Sequence, residues 1–308
     1  EQLISKIGTE FHRESEKTLG KPAQELALTV YEHYLAWFPD AKNYYTMTYN
    51  VAILAYQMKE YERAAKLFEK VLEINPNGEY TAAAAHTVLL SYYKLIDVAA
   101  VDEKVSEDID EEFKERTIPD NDQKLVTACE RYIKTAPPGS DDLAEAKYAA
   151  ARVYYDYNHF TKAAQYFEQM YRDHKDHPQT TEAARLLLSI FNVTRDIRNL
   201  NKWADTFSAD PVIASGELGA KVKEIKAARD FNRCRQMEFD KQYAQAGDCF
   251  MAYFKNFQQA KLGDKALNNA AIMYRNAKMI NKALQASATL YDERQDSPIA
   301  PQALFNIA

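Results

Sequence analysis

A repeating pattern of residues along the chain constrains its fold more than any other feature. An aromatic or apolar residue is followed after three positions by Ala, and after four more by Phe or Tyr, as at Tyr61, Ala64 and Phe68. Because residues four apart share one face of a helix, each copy predicts a helix with a small residue where another helix crosses closely. Three clear copies centre on Ala64, Ala163 and Ala283, and four weaker copies centre on Ala27, Ala128, Trp203 and Ala246.

The spacing of these copies is typical of repeat proteins. Successive copies lie roughly 35 to 43 residues apart, except for one interval of 64 between Ala64 and Ala128. A second helical stretch precedes each copy, and Pro with Asp, Asn or Ser follows many of them, so each unit is predicted to be a pair of antiparallel helices. Only 8 Gly and 10 Pro occur in 308 residues, too few for the turns of a β-sandwich or barrel.

Charge and hydropathy argue against two classes of function. The chain has 39 Lys and Arg against 45 Asp and Glu, a formal net charge of −6, which disfavours a nucleic-acid-binding surface. No apolar run approaches the ~20 residues that cross a bilayer, so we expect no membrane span within this sequence.

The second unit resembles the tetratricopeptide repeat (TPR), a helix-turn-helix repeat of 34 residues. Six residues fall at that family's consensus places, although its consensus Trp and Gly are missing: Val51, Ala52, Tyr61, Ala64, Phe68 and Pro76. The resemblance implies an all-α fold, a right-handed α-solenoid of about seven TPR-like helix hairpins plus a truncated eighth. It also implies a non-enzymatic protein–protein interaction scaffold.

A narrower resemblance lies at the junctions between units. The segment from Ser297 to Leu304 is similar to the S-P-x-A-x-x-A boundary of bacterial envelope TPR proteins, and 177–183 is a looser copy. This implies a periplasmic or outer-membrane-associated protein. Since the chain starts at Glu1 without Met and 301–308 reads as the first helix of an eighth unit, we expect the natural protein to extend beyond both ends. Membrane attachment through the missing N-terminus is then an option.

Two segments depart from the repeat. An acidic insert at about 101–121 lies within the long interval, and ten acids stand against three bases from Asp102 to Asp122. It is either a docking arm for a basic partner or a solvated helical spur that folds back on its own repeat, and charge runs are usually solvated. The second segment, 205–221, predicts a bend or boundary that divides the chain into 1–213, with units one to five, and 214–308, with units six and seven and the start of the eighth.

Catalytic and metal-binding motifs are not apparent, so we predict no catalytic residue, no cofactor and no metal. The segment from Asp173 to His177 carries two His between acids, but it ends a helix, where His and Lys suit the helix dipole. Cys234 and Cys249 are equidistant from a predicted turn at 240–242. They face each other either as a disulfide, which would indicate an oxidising compartment, or as two buried thiols.

Stacked hairpins present their first helices on one concave face, which is where such arrays bind partners. Aligning the units on their turns places aromatic and cationic residues in this groove: Tyr49, Tyr56, His86, Tyr93, Tyr148, Arg152, Tyr155, Phe231, Arg235 and Arg275. Tyr and Arg are enriched at binding hot spots, although each Tyr could instead pack between neighbouring units. We therefore predict that a protein or peptide partner binds the groove within a bacterial cell-envelope complex. The alternatives are a cytoplasmic adaptor or co-chaperone, and the regulatory part of a larger enzyme.

Overall fold

The computed structural model describes residues 1–18, 21–96, 113–137, 139–140, 142–301 and 303, which form fifteen helices and no strand. The helices are α1 (Gln2–Thr18), α2 (Lys21–Trp37), α3 (Tyr44–Gln57), α4 (Tyr61–Ile74), α5 (Thr81–Leu95), α6 (Asp120–Thr135), α7 (Leu143–Asp156), α8 (Phe160–Asp173), α9 (Thr180–Val193), α10 (Ile197–Ser208), α11 (Pro211–Ser215), α12 (Glu217–Phe239), α13 (Tyr243–Asn256), α14 (Gly263–Asn276) and α15 (Ile280–Glu293). The all-α prediction is confirmed. None of the described helices is both long and apolar enough to span a bilayer.

The chain divides into two compact units, and the division falls within α9. Unit 1 comprises residues 1–187 and unit 2 comprises residues 188–308. The boundary suggested by the sequence near residue 214 lies inside unit 2, at the short helix α11. There Asp210 Oδ1 accepts hydrogen bonds from the amides of Val212 (3.0 Å) and Ile213 (3.4 Å), and Pro211 occupies the first helical position.

Five turns between consecutive helices have the same form, a three-residue link whose middle residue is left-handed. These residues are Lys59, Asn158, Arg195, Lys241 and Lys278, with φ between +56° and +64°. The left-handed residue lets the next amide reach back to the last helical turn, as from Glu60 N to Ala55 O at 2.9 Å. The turns reverse the chain and place the second helix of each hairpin against the first.

A second recurring element joins one hairpin to the next. It consists of two consecutive turns. In the first turn the amide of the fourth residue donates to the carbonyl of the first, and in the second turn the amide of the seventh residue donates to the carbonyl of the fourth. The first residues are Phe38, Asn75, Pro137, His174, Ile213, Phe257 and Arg294. Three of the six steps between successive first residues are 37 residues, and the others are 62, 39 and 44 residues. The commonest step is therefore 37 residues, and the longest step contains the acidic insert at 101–121.

Small residues mark the close contacts between helices. Ala64 and Ala163 are completely buried, as are Phe68 and Phe167 four residues later. A methyl group added at Gly247 would lie 2.7 Å from the Tyr274 ring. The small residue in the motif is thus required by the approach of a neighbouring helix, as the pattern predicted.

The acidic insert predicted at 101–121 lies mostly outside the described residues, so its role stays a prediction. The structure describes the insert from residue 113 onward, and this part contacts the turn between α7 and α8. The Arg116 amide donates to Tyr157 O at 2.9 Å, and Asn158 Nδ2 donates to Lys114 O at 2.9 Å. The described end of the insert is therefore bound to the turn of the next hairpin.

Candidate partner-binding face

Three tyrosines occupy the same register position on successive first helices of unit 1. The carbonyls of Tyr56 and Tyr155 accept hydrogen bonds from the turn residues Lys59 (2.9 Å) and Asn158 (3.0 Å). Tyr93, on α5, lies 37 residues after Tyr56. We call Tyr56, Tyr93 and Tyr155 the tyrosine row. The groove prediction named all three, and they align because each is the thirteenth residue of its helix.

The outer tyrosines of the row are held in matching ways. The Tyr56 ring meets that of Tyr61 edge to face, with centroids 5.5 Å apart, and Tyr155 meets Phe160 in the same way at 5.8 Å. Tyr61 and Phe160 are the first residues of α4 and α8. Both tyrosines are half-buried, and the side chain between them, Tyr93, is 42% exposed. The row thus combines aromatic surface that solvent reaches with rings that are already fixed in orientation.

A second pair of predicted residues, Tyr49 and Tyr148, lies deeper. Their rings pack on Phe68 (5.7 Å) and Phe167 (6.1 Å), the buried aromatics of their own hairpins. Tyr49 also stacks on Tyr80, with centroids 4.2 Å apart and planes within 9°. Burial raises the pKa of both phenols. Both rings thus pack within their own hairpins, and their contact with a partner stays a prediction.

Two arginines beside the row are each paired with an acid on the same helix. Arg152 Nη2 lies 3.0 Å from Asp156 Oδ1, and its guanidinium lies 5.7 Å from the Tyr155 ring centroid. Arg185 donates from Nε and Nη2 to the two Glu182 oxygens, at 2.7 and 2.5 Å. This bond lowers the pKa of Glu182, whereas burial raises that of Asp156. The face therefore carries cations whose charge is already balanced locally.

The predicted residue His86 faces another part of unit 1. Its Nε2 lies 3.2 Å from Asp142 Oδ2, and its ring lies 5.1 Å from that of Tyr132. Asp142 directly precedes α7, so His86 links α5 to the start of the next hairpin.

In unit 2 the predicted groove residues do not continue the pattern. Phe231 is only 8% exposed, and its ring lies 5.3 Å from both Phe250 and Tyr253. Aromatic side chains of α13 cover Phe231, so it presents little surface, and its part in binding a partner stays a prediction. Arg235 and Arg275 are exposed as expected. Arg275 occupies the register position that the tyrosines occupy in unit 1, so this position on α14 is polar.

The repeat pattern did not predict a buried cation in unit 1. Lys147 is 8% exposed, and its Nζ lies 2.8 Å from Asp173 Oδ2 and 3.2 Å from His174 Nε2. The equivalent positions on α3 and α5 hold the uncharged residues Thr48 and Ala85. A charged residue at this register position was therefore the available signal. The side chains of Lys147, Asp173 and His174 line an open cavity of about 530 Å³. Burial and Lys147 lower the pKa of His174.

In the described part of the chain, this cavity included, no three His, Cys, Asp or Glu side chains are placed so that they could hold a metal ion. The suggestive segment from Asp173 to His177 is instead tied to Lys147 and to its own backbone. Thr180 Oγ1 donates to His174 O at 2.5 Å, and the Gln179 amide donates to His177 Nδ1 at 3.3 Å. We assign these residues to the junction between α8 and α9.

Cys234 and Cys249 are joined by a disulfide, with Cα atoms 5.5 Å apart. The bond links α12 to α13 across the turn at Lys241, in the arrangement that the equidistant spacing suggested. Cys129 is a buried free thiol, and burial raises its pKa.

The structural repeat has a counterpart among known families. Residues 48–78, which include most of α3, all of α4 and the turn between them, match the family model of the tetratricopeptide repeat. The chain contains a tetratricopeptide repeat. The resemblance seen at Tyr61, Ala64 and Phe68 is thereby confirmed. Proteins built from this repeat generally bind other proteins and are generally not enzymes.

Two solved tetratricopeptide-repeat structures are similar to the chain at low identity. One, from Parabacteroides merdae, is 10% identical over 98% of this chain and 99% of that chain, with a TM-score of 0.41. The C-terminal part of a repeat-containing protein from Cytophaga hutchinsonii is 12% identical over 95% and 99%, with a TM-score of 0.35. No curated protein sequence matches the chain. The function must therefore be argued from the chain's own residues.

Proposed function

We propose that this protein is a non-enzymatic scaffold that binds a peptide, or an extended segment of another subunit, on the first-helix face of unit 1. The observation that carries the proposal is the tyrosine row. Tyr56 and Tyr155 are held in the same orientation by equivalent rings, and Tyr93 exposes 42% of its surface between them. Tyrosine offers a large contact area at a small cost in rotamer entropy, which suits a surface that binds.

Arg152 and Arg185 extend this surface with planar donors. A guanidinium has five N–H groups, and Arg185 uses two of them on Glu182. The remaining donors can bind backbone carbonyls of an extended partner while the ion pair stays intact. Aromatic area beside oriented donors is the composition that binding hot spots share.

We further propose that the protein works in an oxidising compartment, the periplasm or outer-membrane region of a bacterial envelope. The disulfide between Cys234 and Cys249 supports this, because disulfides are rare in reducing compartments. Thiol titration of denatured protein isolated from its native compartment tests the proposal. We expect only Cys129 to react, and three reactive thiols would contradict it.

Selection from a phage-displayed library of random peptides tests the binding proposal. We expect wild-type protein to enrich a family of peptides, and the Tyr155→Ala/Arg152→Ala double variant to bind them more weakly. Phe239→Ala is the matched control, since Phe239 is an exposed aromatic residue of unit 2. Binding by direct contact with aromatic surface should survive moderate salt, because screening mainly weakens exposed charge pairs.

Deletion of residues 102–112 tests whether binding depends on the acidic insert or on the first-helix face of unit 1. The deletion ends before Phe113, so it spares the contacts of Lys114 and Arg116 with the α7–α8 turn. We expect the selected peptides to bind the deletion variant with most of their affinity. If the deletion abolishes binding and the double Ala variant retains it, the insert is the site and the proposal is wrong.

A further inference from the structure

We propose that the tyrosine row recognises an uncharged, proline-rich segment in the polyproline II conformation. This inference rests on the proposed function and names the chemical class of its partner. It follows from three properties of the first-helix face of unit 1: its aromatic rings, its apolar floor and its balanced charge.

The rings are the first property. Tyr56, Tyr93 and Tyr155 repeat at one register position on α3, α5 and α7, so an extended chain that crosses these helices meets one tyrosine per hairpin. Grooves lined by aromatic side chains are the usual receptors for polyproline II segments, whose flat pyrrolidine rings pack on them. Such a segment has no internal hydrogen bonds, so its carbonyls can accept from tyrosine hydroxyls and arginine N–H groups.

The floor beside the row is apolar on two of the three helices. Ile53 and Leu90 lie three residues before Tyr56 and Tyr93, and both are half-buried. Side chains three apart share a helix face. An uncharged partner can cover this floor without desolvating a charge of its own.

Charge balance is the third property. Arg152 is paired with Asp156, and Arg185 with Glu182, so two cations stand beside two anions. The two carboxylates repel an acidic peptide, and the two arginines repel a basic one. Neither sign of charge is favoured, which leaves shape and aromatic contact to select the partner.

The corresponding register in unit 2 differs. The carbonyls that accept from the turn residues there belong to Asn192, Glu238 and Arg275, in place of tyrosines. Recognition by ring stacking is thus confined to unit 1, and exposed aromatics of unit 2 can serve as controls.

Fluorescence anisotropy with labelled peptides tests the inference. The first probe is an Ala-Pro-Pro repeat of about twelve residues, which spans roughly 37 Å as polyproline II. The second has every Pro replaced by Ala, and the third is a glutamate-rich peptide of the same length. We expect the proline probe to bind about tenfold or more tightly than either of the others, with little dependence on salt.

Variants locate the site of binding. Tyr93→Leu keeps an apolar side chain at an exposed position, so it should fold normally and weaken binding of the proline probe by about fivefold or more. Tyr291→Leu is the matched control, because Tyr291 is a similarly exposed tyrosine on α15 (39%), and it should have no effect. Thermal melting followed by circular dichroism verifies that both variants are folded.

The outcomes separate this inference from the proposed function. Equal binding of the proline and alanine probes, or unchanged binding by folded Tyr93→Leu, overturns the inference. If library-selected peptides bind through the tyrosine row but contain no proline, the inference fails and the proposed function stands. If no peptide of any composition depends on the row, both fail.

Discussion

The hydroxyl of Tyr274 on α14 donates a 2.7 Å hydrogen bond to Asp248 Oδ1 on α13, the last helix of the preceding hairpin. Lys282 Nζ binds the same oxygen at 2.9 Å and lies 5.2 Å from the Tyr274 ring centroid. Unit 1 repeats this link between hairpins, from Tyr92 to Glu69 at 3.1 Å and from Tyr154 to Glu130 at 2.8 Å. Bonds of this kind fix the register between successive hairpins, which a face assembled from several helices requires.

Removing the Tyr274 hydroxyl tests the value of this link. Tyr274→Phe keeps the buried ring and deletes one bond to a charged acceptor, so we expect a loss of about 1 kcal/mol in the free energy of unfolding. Urea denaturation measures it, with Tyr291→Phe as a control on an exposed tyrosine. A loss no larger than that of the control would show that the bond adds nothing to stability.

Ionisation of Tyr92 should lower the stability of the protein as pH rises through the alkaline range. Burial, followed by the charge of Glu69, raises the pKa of this phenol from 10.0 to about 12. A raised folded-state pKa contributes stability that is fully present below the unfolded value and is lost as pH rises through the folded one. We therefore expect wild type to lose more stability than Tyr92→Phe between pH 10 and 12. Equal losses in the two proteins would contradict the shift.

Overfilling the helix crossings tests the small-residue motif. Ala64 and Ala163 are fully buried, so Ala64→Trp and Ala163→Trp should each destabilise by at least about 1–3 kcal/mol. Ala228→Trp, at an exposed position on α12, is the control and should change little. Thermal melting gives the comparison, and unchanged melting of both core variants would mean that the helices do not cross at these residues.

Substitutions of the buried Lys147 and of its partner Asp173 should change the free energy of unfolding in different ways. Lys147→Leu replaces the buried cation with an apolar side chain, so stability should be unchanged or rise by up to about 1 kcal/mol. Asp173→Asn leaves the ammonium buried with a weaker partner and should cost about 1 kcal/mol or more, since Asp173 is itself partly exposed. Chemical denaturation distinguishes the two. A large loss in Lys147→Leu would show that the ion pair is needed for folding.

Features set by spacing along one helix, or by equal distance from a turn, could be predicted from the sequence. Ala64 and Phe68 identified a helix face, and Cys234 and Cys249 lie at equal distances from their turn. Arg152 and Asp156 are four residues apart on one helix, so their pairing is also a local property. Periodicity and turn chemistry suffice in such cases, because the partners are close in sequence.

Features set by which side chain covers another could not be predicted in this way, even within one hairpin. Phe231 shares the register of Tyr49 and Tyr148, yet Phe250 and Tyr253 of α13 bury it. Lys147 and Asp173 are 26 residues apart, so no helical spacing links them. Exposure at a register position depends on the side chains of the covering helix, and a repeat pattern does not contain that information.

Photo-crosslinking at a single site tests the binding face most directly. p-Benzoylphenylalanine replaces Tyr93, the most exposed member of the tyrosine row, or Phe239, an exposed residue of unit 2 (80%), as the control. After irradiation with a library-selected peptide, mass spectrometry locates the adduct. The proposed site predicts a crosslink from position 93 and none from position 239. A crosslink from position 239 alone, or equal yields from both positions, would contradict binding at the first-helix face of unit 1.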